Sequence, residues 1–215
     1  TEPSLLEVAD ILYGKEEYDR AYEYYKRLED IATTDADKLK AMRGELRSAY
    51  EAEDADKTME AAGNILAAPN MPEELVREAN FMDAKANYSR NNLDEALKYF
   101  RKVATEVTTA EGAESKYRVA EILYRKGQVA DAEKVINEFV NQSTPHQYWM
   151  ARMFLLLADI SIKKGDMLQA RATLQSLRDY YTIDNDGILD EVRSKLDSLN
   201  TGNNAEKTDS LNINN

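Results

Sequence analysis

The sequence predicts an all-α solenoid, built of five antiparallel helix pairs and a C-terminal capping helix. Three observations carry this expectation. The composition favours helix, a residue pattern recurs every 36–38 positions, and helix-start signals fall between the copies.

Of 215 residues, 43% are hydrophobic and 32% charged, with only eight Gly and four Pro. That mixture suits helices with one buried face. The formal net charge of −12 repels phosphates and anionic headgroups, which disfavours nucleic acid as a partner. With no Cys, the chain has no disulfide, thiol nucleophile or zinc–thiolate site. The longest apolar run, Phe154 to Ala158, is far short of the roughly 20 residues a membrane helix needs, so direct membrane insertion is not expected. A first residue other than Met, Thr1, reads as a mature form, a trimmed form or a fragment of a longer chain.

The repeat is clearest over Ala113–Pro145, where Ala120, Leu123, Gly127, Ala132, Ile136 and Phe139 hold fixed offsets. Ala9, Leu12, Tyr18, Ala21, Tyr25 and Leu28 repeat the pattern near the start, and Ala158, Gly165, Ala170, Leu174 and Leu177 near the end. Ala96, Phe100 and Val103 mark another copy, and Thr58, Ala62 and Ile65 a degenerate one. The anchors Ala21, Thr58, Ala96, Ala132 and Ala170 stand 37, 38, 36 and 38 residues apart. Such a period marks stacked supersecondary units that bury a continuous core only by packing on neighbours.

Start signals delimit the helices. Ser4-Leu5-Leu6-Glu7 reads as a capping box, and Thr144-Pro145 as a start with Pro at the first helical position. Asn92 with Glu95, and Asp166 with Gln169, open second helices, while Ala67–Pro72 reads as a turn. The division is five repeats over 1–182, at about 2–38, 39–76, 77–112, 113–150 and 151–185. A capping helix over 186–199 follows, with Ile188, Leu189, Val192, Leu196 and Leu199 on one side. Residues 200–215 are polar and aperiodic and read as a disordered tail.

Catalytic, metal-binding and cofactor-binding residues are not expected. The lone His146 has no nucleophile or carboxylate placed near it by the sequence and reads as an exposed turn residue. Thr182–Gly187 echoes a calcium loop, but Thr182 and Arg193 stand where the ion needs Asp and a bidentate Glu. An Asp-rich turn capping the last helix is the better reading.

The unit Ala113–Phe139 resembles a tetratricopeptide repeat (TPR), with Ala120, Ala132 and Ile136 at that family's small, small and larger positions. The resemblance covers about residues 4–182 and implies a right-handed solenoid. These repeats are longer than the usual ~34 residues. Lys116 and Met42 stand where a large aromatic is common in the family.

The resemblance also implies where a partner binds, since the first helix of each unit lines a concave groove. In the second repeat Lys40, Arg43, Arg47 and Tyr50 would face it, and their i, i+3, i+7, i+10 spacing puts them on one helical face. The fourth repeat offers Tyr117, Glu121 and Tyr124, and the fifth Arg152, Leu155 and Asp159. In the third, either Asn80, Asp83 and Asn87 or, by a one-residue slip, Phe81, Ala84 and Tyr88 turn inward; the second set is the apolar one and is preferred. Leu6, Asp10 and Gly44 replace the Lys and Asn residues of the chaperone-binding clamp, which disfavours that ligand.

A protein-binding scaffold for a protein or peptide, an acidic one among the candidates, is thus the expected function, and not an enzyme. The fifth repeat, from Tyr148-Trp149-Met150 through Leu157-Ala158-Asp159 to Gln169-Ala170, resembles bacterial envelope TPR proteins, which points to the periplasm or outer membrane. A cytoplasmic peptide-sensing regulator and the accessory domain of an enzyme are the alternatives. The sequence sets no oligomeric state.

Overall fold

The computed structural model describes the backbone of residues 1–212 and the side chains of residues 1–202. Among them are eleven α-helices and no strand, as the periodicity predicts. The chain forms two compact units, Thr1–Val103 and Ala104–Asn215.

Unit 1 holds three hairpins: α1 (Glu2–Gly14) with α2 (Tyr18–Ile31), α3 (Asp35–Glu51) with α4 (Ala55–Ala67), and α5 (Glu73–Ser89) with α6 (Leu93–Val103). Consecutive helices pack together, and α3 also touches α1 and α5. Unit 2 holds α7 (Ala110–Arg125) with α8 (Val129–Val140), α9 (Gln147–Lys163) with α10 (Met167–Tyr180), and the terminal α11 (Ile188–Asn212). Ile188, Val192 and Leu196 of α11 close over Ala151, Leu155, Leu174 and Leu177, burying the apolar side of the last hairpin.

The repeat anchors sit where the helices of a pair approach. Ala21, Ala96, Ala132 and Ala170 are fully buried, and so is Thr58, whose hydroxyl donates to the Asp54 carbonyl at 2.7 Å. Small residues permit this approach, and the polar Thr58 is tolerated because its hydroxyl is satisfied locally.

The turns inside the hairpins repeat as strictly as the anchors. Glu16, Glu53, Asn91, Gly127 and Gly165 all have positive φ, between 56° and 80°. In each turn the next amide reaches back five residues: Glu17 N to Leu12 O, Asp54 N to Ala49 O, Asn92 N to Asn87 O, Gln128 N to Leu123 O and Asp166 N to Ser161 O, at 2.9–3.1 Å. This left-handed C-cap satisfies the last carbonyls of the first helix and reverses the chain.

Several start signals resolve differently. The first helix begins at Glu2 rather than at a Ser4 cap, with Pro3 in its first turn; Ser4 Oγ bonds Thr1 Oγ1 instead. Helix α9 begins at Gln147; before it, the Thr144 hydroxyl donates to the carbonyl of Val107 at 2.9 Å and accepts from His146 N at 3.2 Å. Asp166 caps α10 as expected, accepting from Gln169 N at 3.0 Å. Thr34, Asp54 and Thr109 do the same for α3, α4 and α7. Asp186 accepts from Ile188 N at 3.1 Å at the start of α11. That helix continues past Leu199 to Asn212, over residues expected to be disordered; no Pro interrupts it, and Thr201 donates back to the Asp197 carbonyl at 2.9 Å. Residues 213–215 of that tail lie outside the described residues.

The third repeat buries both alternatives. Phe81 and Ala84 are buried and Tyr88 half-buried, but Asn80, Asp83 and Asn87 are at most 6% exposed as well. Helix α5 is enclosed on two sides by α4 and α6, so no single apolar stripe describes it. Asn87 Nδ2 donates to Asp83 Oδ1 at 2.6 Å and to its carbonyl at 3.1 Å, which makes the burial of these two tolerable, while Asn80 Oδ1 is buried without a hydrogen-bond partner.

Candidate functional site

Unit 1 carries a groove of about 570 Å³ between α1 and α3. Lys40, Arg43 and Arg47 form one wall, Leu6, Asp10 and Tyr13 the other. Tyr25 reaches into the groove from α2 through the gap left by Gly44, where a β-carbon would stand 2.4 Å from its ring. Its hydroxyl donates to Asp10 Oδ1 at 2.6 Å. Burial, and then this bond, push the phenol well above its ordinary range, so Tyr25 remains a proton donor and occupies Asp10.

The three cations differ in availability. Arg47 is held across to α5, its Nε 2.6 Å and its Nη2 3.1 Å from the two carboxylate oxygens of Glu78. Lys40 stands 3.6 Å from Asp37 at the exposed rim. Arg43 has its Nε buried without a hydrogen-bond partner. A buried donor left unsatisfied costs roughly 1–3 kcal/mol, more when charged, and that cost is removed by an incoming acceptor. The groove thus sets the Arg43 side chain beside an apolar and aromatic wall.

The other sequence-derived positions do not join it. Tyr50 lines a separate hollow with Glu53, Thr58 and Ser89. In unit 2, Tyr117 is 5% exposed, its ring centroid 5.6 Å from that of Trp149. Arg152 donates to the Tyr117 hydroxyl at 3.3 Å and pairs with Glu191 of α11. Glu121 accepts from Arg118 at 2.6 Å, and Lys163 lies 5.2 Å over the ring of Tyr124. These groups pack between helices of unit 2 and are engaged within it.

Tyr13 and Tyr25 are groove residues that helical periodicity on α3 does not disclose; the pointer was a Gly in the middle of α3. Unit 2 has its own hollow of about 470 Å³ between α9 and α10, lined by Met150, Phe154, Leu157, Leu177 and Tyr180 and by no charged side chain. His146 is not a free turn residue: its Nε2 lies 2.9 Å from the Thr108 carbonyl. Among the described residues no acid–imidazole cluster suits a metal, and no helix is long and apolar enough to cross a membrane.

Helical hairpins stacked through small-residue crossings, with identical left-handed turns, define a helical-repeat protein. The solved structures specify which kind. The chain is similar to YrrB, a TPR protein with an unusual peptide-binding site, at 17% identity over 89% of this chain and 90% of that one, with a TM-score of 0.63. A TPR protein from Parabacteroides merdae is 15% identical over 90% of this chain and 70% of that one, at a TM-score of 0.49. A thermophilic TPR protein of Thermus thermophilus is 15% identical over 93% and 98%, at a TM-score of 0.48. No family model and no curated protein matches the sequence. The fold is that of the tetratricopeptide repeat proteins, an α-solenoid architecture.

Proposed function

We propose that the chain is a non-catalytic scaffold that holds an acidic peptide or helix in the α1–α3 groove of unit 1, in bacterial envelope assembly. The observation that carries this is the unpartnered, buried Nε of Arg43 on a wall with Lys40, opposite Leu6 and Tyr13. A carboxylate seated on the guanidinium of Arg43 beside Lys40 gains charge-assisted hydrogen bonds, and apolar side chains of the same segment cover the aromatic wall. A cationic groove on a chain of net charge −12 also steers acidic segments towards itself. The similar protein YrrB is a TPR protein with a peptide-binding site, which favours a peptide ligand for this fold. The envelope context rests on the fifth-repeat resemblance over residues 148–170.

The test is affinity capture from a bacterial envelope extract with the wild-type chain and with Lys40→Glu/Arg43→Glu. Both side chains are free of tertiary ion pairs, so the double variant keeps its helical circular dichroism. Its capture of the partner should fall at least about tenfold, most sharply at low salt. Undiminished capture by the folded variant would remove the groove from the mechanism. A partner found only in cytoplasmic extract would remove the envelope role.

A further inference from the structure

The hairpin α1–α2 turns one side towards α3 and the other away. On α2, Tyr22, Tyr25 and Glu29 point to α3, which places Arg20, Tyr24, Arg27 and Ile31 on the outer side by helical spacing. On α1 the same argument places Ser4, Val8, Ile11 and Lys15 outside, with Glu7 at the edge. Val8, Ile11 and Ile31 are 37%, 50% and 46% exposed, and they are the exposed large hydrophobic residues of unit 1 among the described residues. Tyr24 lies half-buried between the helices with Arg27 5.2 Å over its ring. An apolar strip confined to one face in this way marks an interaction surface rather than scattered surface residues.

We infer that this outer face docks on the same face of a second copy of the chain. The charges of Glu7 on α1 and of Lys15 at its C-cap select that occupant. Glu7 and Lys15 lie about one turn on either side of Ile11, with opposite signs, and both are exposed. If two α1 helices cross antiparallel at Ile11, Glu7 of each meets Lys15 of the other, and Val8 of each meets Gly14. Gly14 has open space around it, since a β-carbon there would touch nothing within 4 Å, so an incoming Val8 is admitted. A contact that satisfies itself twice under a two-fold axis is the mark of an isologous interface. Of the groove residues on α1, Leu6, Asp10 and Tyr13 lie on another side of the helix and Gly14 borders the groove, so the partner's Val8 sits at the groove's rim and one particle carries two grooves. Bivalent capture of repeated ligands would follow.

Sedimentation equilibrium of the full chain, from micromolar to millimolar, tests this without reference to any peptide. Wild type should show a concentration-dependent dimer. Ile11→Arg, at an exposed position, should remain helical and become monomeric. Glu7→Lys and Lys15→Glu should each weaken the dimer by roughly tenfold, because each removes two pairs and creates two repulsions. The double exchange, Glu7→Lys with Lys15→Glu, should restore it. A monomer at every concentration would overturn the proposal and leave the face to another protein or a preceding segment. A dimer indifferent to the single exchanges would overturn it equally, placing the interface elsewhere.

Discussion

Gly44 lies flat against the ring of Tyr25: a β-carbon added at Gly44 would stand 2.4 Å from ring carbon Cδ1. A helix interior disfavours Gly by about 1 kcal/mol relative to Ala, so its presence in α3 marks a position where contact outweighs propensity. The contact lets a second-helix tyrosine enter the groove and bond Asp10.

Gly44→Ala should therefore destabilise the chain, by about 1–2 kcal/mol, as overpacking against Tyr25 outweighs the gain in propensity. Gly63 offers the contrast. It also lies inside a helix, α4, but nothing stands within 4 Å of an added β-carbon there. Gly63→Ala should stabilise by up to about 1 kcal/mol. Urea melts of the two variants measure the difference, and equal shifts would contradict the close approach.

The five left-handed turns make a second comparison. Glu16 and Glu53 hold φ of 62° and 56°, where Gly127 and Gly165 occupy the equivalent turns with 78° and 80°. An L-residue with a β-carbon pays about 1 kcal/mol for this region and Gly does not. Glu16→Gly and Glu53→Gly should raise stability by a few tenths to about 1 kcal/mol, and Gly127→Ala and Gly165→Ala should lower it by about 1 kcal/mol. Opposite signs in thermal melts would show that the turns differ in backbone despite their equal spacing.

The repeat period was legible because small residues at helix crossings leave few substitutes: Ala21, Thr58, Ala96, Ala132 and Ala170 marked the spacing of the five pairs. The wall Lys40, Arg43 and Arg47 was legible for a similar reason, since cations at i, i+3 and i+7 read poorly as a buried face. Tyr25 was hidden because its role depends on what is missing from a different helix. The engagement of Tyr117 with Trp149 and of Arg152 with Glu191 was hidden because these partners come from elements whose docking the fourth repeat does not encode. The Asn80, Asp83 and Asn87 row was read as the less buried alternative because periodicity counts polar side chains as outward, whereas Asp83 and Asn87 bond each other within α5.

Two of the buried acids set a pH dependence. Glu45, only 3% exposed, faces Glu29 from α2. Burial, then the hydrogen bond and charge of Glu29, hold its carboxyl protonated well above the ordinary 4.5, with Lys26 opposing. Burial and the charge of Glu95 push Asp83 up to about 6 from 3.8, against the Asn87 hydrogen bond and the Lys98 and Lys102 charges. With folded values above unfolded ones, the folded state holds protons that the unfolded chain releases. Stability is then full below the unfolded values and declines as pH rises, between 3.8 and about 6 for Asp83 and from 4.5 upward for Glu45. Melting temperature should fall from pH 5 to pH 8, and Glu45→Gln, which keeps the shape without the charge, should flatten the fall. A wild-type melting temperature that rises over this interval would show that other groups dominate.

The last prediction concerns Arg47, which the groove shares with the packing of α3 on α5. Its two bonds to Glu78 are bidentate, but the side chains are 45% and 22% exposed, so solvent screens the pair. A double-mutant cycle with Arg47→Ala and Glu78→Ala should give a coupling of about 0.5–1 kcal/mol. The pair has a functional consequence as well. Glu78→Gln frees the Arg47 charge into the groove beside Arg43 without removing the side chain. If the groove selects acidic segments, this variant should bind a labelled glutamate-rich peptide more tightly than wild type, by a few-fold at low salt, and fluorescence anisotropy measures it. Weaker binding by Glu78→Gln would mean that the pair positions Arg47 for the ligand and does not withhold it, and the cation to pursue would then be Arg47 rather than Arg43.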